Sequence, residues 1–153
     1  MDKVFDLIPM YDDVKLPAYK TEFSSGMDIC AYLPEGPVYV PGRYSPSYEE
    51  TYDTIPTGLK IKFYNKDFEA QVRSRSGLAF RNGIFVLNEP GTIDSDYDGE
   101  IKVILGNIGN DAFEINNGDR IAQLVIAPVY RDRDYMDITT VVRGEGGFGS
   151  TGK

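Results

Sequence analysis

The sequence predicts an all-β chain, a distorted β-barrel or jelly-roll-like arrangement with one short helix at most and a flexible glycine-rich C-terminal tail. Three observations predict it. Leu59, Ile61 and Phe63 alternate with Lys60 and Lys62, and Ile101, Val103 and Leu105 alternate in the same way, the period of a strand with one buried face. Short apolar runs recur between turn residues, among them Pro34, Gly36, Pro41, Gly42, Pro90, Gly91 and residues 116–118. At 153 residues, with no repeat or linker, the chain suits one domain with a core of adequate size.

The elements follow in chain order. Val4, Phe5, Leu7 and Ile8 predict a strand over 4–8, and residues 28–32 (DICAY) predict a second. Residues 43–54 (RYSPSYEETYDT) read as a long exposed loop, with Tyr44, Tyr48 and Tyr52 beside acidic residues. It suits a tolerated surface insertion and a partner-binding loop equally. Strands follow over 59–63 and over 68–72, where Phe68, Ala70 and Val72 alternate with Glu69 and Gln71. Residues 74–81 can make one short helix. Further strands are predicted over 84–87, 101–105, 120–128 and 138–142, and residues 88–100 (NEPGTIDSDYDGE) fit a β-hairpin.

Charge and composition exclude several functions. A net charge of -8 disfavours a duplex nucleic-acid binder, which needs clustered Lys and Arg, while a small nucleotide can still be met by a locally basic site. Cys30 is the only cysteine, so no intrachain disulfide forms and an intracellular location is expected. The absence of histidine removes Ser/His/Asp and Cys/His catalysis and His-ligated metal. Carboxylates, Tyr, Lys or a hard cation on oxygen ligands are left. No apolar run approaches the roughly eighteen residues of a membrane-spanning helix, and the acidic start does not read as a signal peptide.

Five segments carry candidate chemistry. Residues 143–153 (RGEGGFGSTGK) include five glycines, so ordering them costs backbone entropy that one Phe does not offset. The segment suits either a frayed end or a cover for a nucleotide. Arg143 and the hydroxyls of Ser150 and Thr151 suit phosphate oxygens, and Phe148 offers a face for a base. The G-x-G-x-x-G and G-x-x-x-x-G-K matches in this tail fail, because neither opens a helix after a strand. Within 88–100, Asp94, Asp96 and Asp98 begin like a calcium loop, but the twelfth position is Leu105 instead of Glu. Asp94 is a candidate general base in a chain without histidine; a turn-capping role explains it as well. Asn88 and the backbone near Pro90 and Gly91 can mimic a base-pairing edge. In residues 73–79 (RSRSGLA), Arg75, Ser76 and Gly77 bring a guanidinium, a hydroxyl and an N–H to a helix start. Arg120 and Gln123 interrupt an apolar strand and either bridge strands or face a ligand. Asp28, in SSGMDICA, can hold a hydrated cation or cap a turn.

In order, SGMDICA at 25–31, RSGLA at 75–79, residues 88–100, GDRIAQLVIAPV at 118–129 and RGEGGFGSTG at 143–152 resemble the five motifs of the trimeric, all-β deoxyuridine triphosphatase (dUTP diphosphatase, dUTPase) family. The resemblance spans nearly the whole chain. It implies the family's β-clip fold over 1–142, with 143–153 as an arm closing over the active site. It implies Mg²⁺-dependent hydrolysis of dUTP to dUMP and pyrophosphate by water attacking the α-phosphorus, which keeps uracil out of DNA and supplies dUMP. By the same resemblance Asp94 activates the water, Tyr97 packs on the deoxyribose against a 2′-hydroxyl, and Asn88 with the nearby backbone reads uracil. Arg75, Ser76, Gly77 and Gln123 would hold the phosphates, with Arg120 in support. Arg143, Gly149, Ser150 and Thr151 would close over the γ-phosphate, Phe148 would stack on the base, and Asp28 would hold Mg²⁺ through water. A homotrimer with active sites shared between subunits is implied, with the 43–54 loop as a possible site for a protein partner. No stable nucleic-acid or membrane binding is expected. Two departures stand out: the 43–54 loop is longer than the family's usual connection, and Ser74 stands where a proline commonly precedes Arg-Ser-Gly. The alternatives are a dCTP deaminase-like enzyme of the same fold, which lacks this closing tail, and a nucleotide-sensing interaction protein.

Overall fold

Alternating apolar residues become paired strands throughout the computed structural model, which describes residues 3–45, 50–135 and 145–146. In order the elements are β1 (Phe5–Pro9), β2 (Gly26–Cys30), β3 (Val38–Val40), β4 (Tyr52–Pro56), β5 (Leu59–Phe63), β6 (Phe68–Arg73), α1 (Ser76–Asn82), β7 (Ile84–Val86), β8 (Gly91–Ile93), β9 (Lys102–Asn107), β10 (Phe113–Ile115) and β11 (Arg120–Pro128). A single 3-10 turn follows at Arg133–Tyr135. The strands form four antiparallel sheets: β1 with β5, β3 with β10, β2-β11-β6-β8, and β4-β9-β7. This is the expected all-β, jelly-roll-like arrangement. Among the described residues no sheet closes on itself into a barrel.

The period-two reading predicts burial well. Leu59, Ile61 and Phe63 enter the core while Lys62 is exposed, and Ile101, Val103 and Leu105 are all but inaccessible. β11 differs because it is flanked by β2 and β6: Ile121, Ala122, Leu124 and Val125 are all buried, giving a nearly continuous apolar run. Cys30 lies buried at the end of β2, where desolvation pushes its thiol pKa up. Among the described residues no helix is long and apolar enough to cross a membrane.

Several boundaries differ from the sequence reading. The second strand starts at Gly26 and ends at Cys30, two residues earlier than expected. β3, β8 and β10 have three residues each, too few for a period to register in sequence. β4 begins inside the stretch read as a loop, with Tyr52 opposite Gly106. The loop is therefore shorter than 43–54, and its residues 46–49 lie outside the described residues. Gly42 anchors its base, since a Cβ there would stand 2.4 Å from the Asp111 carbonyl oxygen. The expected hairpin over 88–100 is not formed. β7 pairs with β9, and β8 turns away to pair with β6, so neighbours in sequence join different sheets. The strand expected over 138–142 lies outside the described residues.

Asn107, at the end of β9, is a buried polar residue with both amide hydrogens and its carbonyl oxygen bonded. Its Nδ2 donates to the Val40 and Asp111 carbonyls at 3.0 Å each, and its Oδ1 accepts from the Gly109 N–H at 2.8 Å. It joins β9 to β3 and to the loop before β10. Asn107→Leu should lower stability by about 2–3 kcal/mol, because three backbone groups lose their partner at once. An unfolding free energy from urea titration within ~0.5 kcal/mol of the unaltered protein would show that water replaces the amide.

Candidate active site

β11 sets the geometry of the basic half of the site. Gln123 faces Asp28 of β2 on one side and Arg73 of β6 on the other, so the end of β6 delivers residues 74–77 beside both. Asp28 is mostly enclosed, and each of its oxygens accepts a guanidinium N–H. Arg75 Nε donates to Oδ1 at 3.0 Å and Arg120 Nη1 to Oδ2 at 3.1 Å. Arg75 Nη1 also donates to the Arg120 carbonyl at 3.0 Å. Two guanidinium groups against one carboxylate leave a net positive cluster suited to a polyanion. Arg75 and Arg120 line a cavity of about 260 Å³ whose other walls include Leu78, Phe113 and Ile115.

The start of α1 adds donors to this cluster. Arg75 is extended at the N-cap and no side chain caps the helix. The N–H groups of Leu78 and Ala79 both donate to the Arg75 carbonyl. Those of Ser76 and Gly77 belong to the first turn, where no helical acceptor exists. Gln123 supports the turn from below by donating Nε2 to the Ser74 carbonyl at 2.8 Å. Its Oε1 packs against Gly26, where a Cβ would stand 2.4 Å away. In this structure Gln123 bridges strands and holds the turn that precedes α1.

Asp94 and Tyr97 form a second group elsewhere. Asp94 is half-buried and follows directly on β8, and Tyr97 N–H donates to its carbonyl at 3.1 Å. The Tyr97 hydroxyl donates to the Glu100 carbonyl at 2.9 Å, and the ring lies over Gly99, where a Cβ would approach the phenol oxygen to 2.4 Å. Only glycine at 99 admits the ring. Tyr97, Gly99, Glu100, Lys60 and Lys102 line a cavity of about 330 Å³, and Glu145 closes one side through a 3.0 Å ion pair with Lys60. A tail residue thus lies beside Tyr97 of its own chain. Arg143, Phe148, Gly149, Ser150 and Thr151 lie outside the described residues.

The two groups do not converge within one chain. Ile93 faces Ala70, so Asp94 stands level with the start of β6, where Lys66 Nζ donates to the Ser95 carbonyl. Arg75 lies past the opposite end, about 20 Å along the strand at ~3.3 Å per residue. Asn88 sits nearer the Arg75 end: a Cβ on Gly91 would lie 3.4 Å from both Asn88 Nδ2 and Val72 Cβ.

The donors fit Mg²⁺ only together with phosphates. Among the described residues no three His, Cys, Asp or Glu side chains gather to hold a metal. Asp28 keeps a lone pair on each oxygen for water, but the adjoining guanidinium groups repel a bare cation until a polyanion offsets them. Residues given no site role from sequence also shape the site. Glu89 accepts from the N–H of Ser74, the residue noted above only as a departure, and Lys60 and Lys102 give the Tyr97 cavity a basic wall. The two lysines were legible only as the polar positions of strands.

Comparison with known proteins agrees with this geometry. The dUTPase family model matches residues 12–152. The deoxyuridine 5′-triphosphate nucleotidohydrolase of Brucella melitensis biotype 1 is 50% identical over 141 residues, covering 90% of this chain and 84% of that protein. Its counterpart from Rhizobium rhizogenes is 48% identical, covering 90% and 85%. Among solved structures, the dUTPase of Staphylococcus bacteriophage 80alpha with dUpNHpp superposes with a TM-score of 0.72 at 20% identity, covering 99% of this chain and all (100%) of that one. A mutant dUTPase from phage phi11 of S. aureus, whose structure reveals the coordination of a structural Mg(II) ion, gives 0.71 at 17% identity, with 91% and 100% covered. With its basic cluster on the second and fourth motifs, and with about half its residues shared with bacterial members along nearly its full length, the chain belongs to the dUTPase family.

Proposed function

We propose that this protein hydrolyses dUTP to dUMP and pyrophosphate, water attacking the α-phosphorus. The observation that carries this reading is the Asp28, Arg75 and Arg120 cluster beside an uncapped helix start, in a chain of the dUTPase family. The relatives named above act on deoxyuridine triphosphate by their names, and the 80alpha neighbour binds dUpNHpp. A dCTP deaminase-like reading has no such support.

In the proposed reaction the Arg75 guanidinium, the Ser76 hydroxyl and the Ser76 and Gly77 N–H groups receive the phosphates. Gln123 and Arg120 hold that turn in place. Asp94 takes the proton of the attacking water, and Tyr97 walls off the ribose 2′ position. Asn88 and the backbone before β8 read the uracil edge. Asp28 would hold Mg²⁺ through water, and the ion would offset negative charge on the phosphates. Residues 143–153, beyond the domain at 1–142, are proposed as an arm that closes the site. Arg143, Ser150 and Thr151, with Gly149, would meet the γ-phosphate, and Phe148 would cover the base. The separation of Asp94 from Arg75 along β6 supports a homotrimer in which one copy's Asp94 serves a neighbour's phosphate turn.

Pyrophosphate release measured in parallel from dUTP, UTP, dTTP and dCTP should favour dUTP strongly, because the thymine methyl and the cytosine amine each mismatch a uracil-reading edge. Comparable turnover of dTTP or dCTP would sink the reading. In the same assay Tyr97→Ala should raise UTP turnover relative to dUTP; an unchanged ratio removes Tyr97 from sugar selection.

Asp94→Asn should keep nucleotide binding while slowing turnover by about two to four orders of magnitude, the range for a lost general base. A rate near that of the unaltered protein would leave Asp94 a turn residue.

Shared sites can be read by mixing two inactive variants, Asp94→Asn and Arg75→Ala, in equal amounts. If the two residues of a site come from different copies, co-refolding should restore about a quarter of the sites, since two independent choices must each be right. No recovery in mixed trimers confirmed by mass would place both residues in one copy's site.

A further inference from the structure

Gly99 is buried while its sequence neighbours Asp98 and Glu100 are not, and the atoms nearest to it on the side-chain side belong to Tyr97. A Cβ at position 99 would stand 2.4 Å from the Tyr97 hydroxyl oxygen, 2.6 Å from Cζ and 2.9 Å from Cε2. These three atoms form one end of the ring, so the phenol end of Tyr97 rests against Gly99. The backbone gives no separate reason for a glycine, because the left-handed angles fall at Gly36, Gly58, Gly83 and Gly118. The ring accounts for the missing side chain.

If a side chain were added there, the ring would yield before the loop beneath it. Residues 94–100 are fixed at both ends. Ile93 pairs with Ala70 before them, Glu100 Oε1 accepts from the Gly58 N–H at 2.8 Å, and the Ile101 N–H donates to the Leu59 carbonyl at 2.7 Å. The Tyr97 hydroxyl donates to the Glu100 carbonyl at 2.9 Å, which sets the direction of the ring. A Cβ under this end would overlap the ring by roughly 1 Å, and turning the two side-chain torsions of Tyr97 costs less than shifting anchored strands. The hydroxyl then leaves the Glu100 carbonyl. Room at position 99 therefore decides where the ring stands.

We propose that Gly99 is a positioning residue for sugar selection: its lack of a side chain seats the Tyr97 ring at the distance that admits a deoxyribose and refuses a 2′-hydroxyl. The proposal rests on the dUTP reading above and, within it, on the role of Tyr97. All its parts lie in one segment of one chain, so it is independent of how copies share a site. A ring held farther back admits the hydroxyl, and a ring pushed forward strikes the deoxyribose as well. Either displacement narrows the difference between the two sugars.

A double-mutant cycle between positions 99 and 97 separates the ring from the loop. In Gly99→Ala the ratio of kcat/KM for dUTP to that for UTP should fall about three- to tenfold, the scale on which one pocket contact discriminates. In a Tyr97→Ala background the added methyl meets no ring, so the same substitution should change the ratio by less than about a factor of 2. An unchanged ratio in Gly99→Ala would overturn the proposal. So would an equal fall in both backgrounds, which would place the effect in the loop backbone. Urea unfolding of the free protein reads the seat without any nucleotide: the midpoint should fall in Gly99→Ala, and the same change made on Tyr97→Ala should leave it where it was. Equal losses in both backgrounds, or a loss in neither, would refute the seat. A Gly99→Ala chain that does not fold counts for the seat where Tyr97→Ala restores folding and against it where folding stays lost. A protein that shows the urea pattern yet turns over no dUTP would refute the dUTP reading and the selectivity assigned to Gly99, while the seat itself stood.

Discussion

The carboxylate of Asp28 is the constraint on which the site depends. Arg75 and Arg120 reach it from partners 47 and 92 residues away in the chain, and the Arg75 side chain also grips the Arg120 carbonyl. Without a negative charge between them, two guanidinium groups at this separation would repel, and in a partly enclosed cleft that repulsion is weakly screened. Asp28 therefore permits a concentration of positive charge that an acidic chain would otherwise not hold. The two ion pairs hold both guanidinium groups in fixed positions, so the positive charge of the cluster is ordered before anything binds.

That cluster exists because β11 is a central strand. Its apolar residues face the core on both flanks, which fixes its register with β2 and β6, and the register then sets Asp28, Gln123 and the end of β6 side by side. β6 also acts as a spacer. It leads into the turn before α1 at one end and, through its pairing with β8, carries the Asp94 and Tyr97 segment near the other. One rigid strand thus keeps the two chemical halves apart within a chain. Self-association offers a way to join them: a closed ring of copies can set the first half of one against the second half of the next.

Local close approaches explain why certain small residues occupy the site. Gly99 leaves room for the Tyr97 ring, Gly26 for the Gln123 amide, and Gly42 for the backbone that closes the 43–54 connection. None of these three needs an unusual backbone angle; each is fixed by an atom that a Cβ would strike. Asn107 plays the complementary part, a polar side chain retained in the core because three backbone groups depend on it.

The sequence by itself determined the all-β class, the strands around Leu59, Ile61 and Phe63 and around Ile101, Val103 and Leu105, the short helix after Arg75, and the motif set that marks the family. Those features are local: a period of two, a turn residue, or an ordered string of side chains carries each of them. Strand partners were not legible, because a pairing is a contact between distant segments and the same apolar run suits several. Hence the expected hairpin at 88–100 gave way to β8 on β6 and β7 on β9, and the start of β4 was hidden in a tyrosine-rich stretch that reads as loop. Likewise the sequence offered Asp28 as a cation holder or turn cap and Gln123 as a strand bridge or ligand contact without choosing. Only the tertiary structure paired Asp28 with two arginines and turned Gln123 to the Ser74 carbonyl, since both outcomes depend on which strands lie side by side and how each is registered.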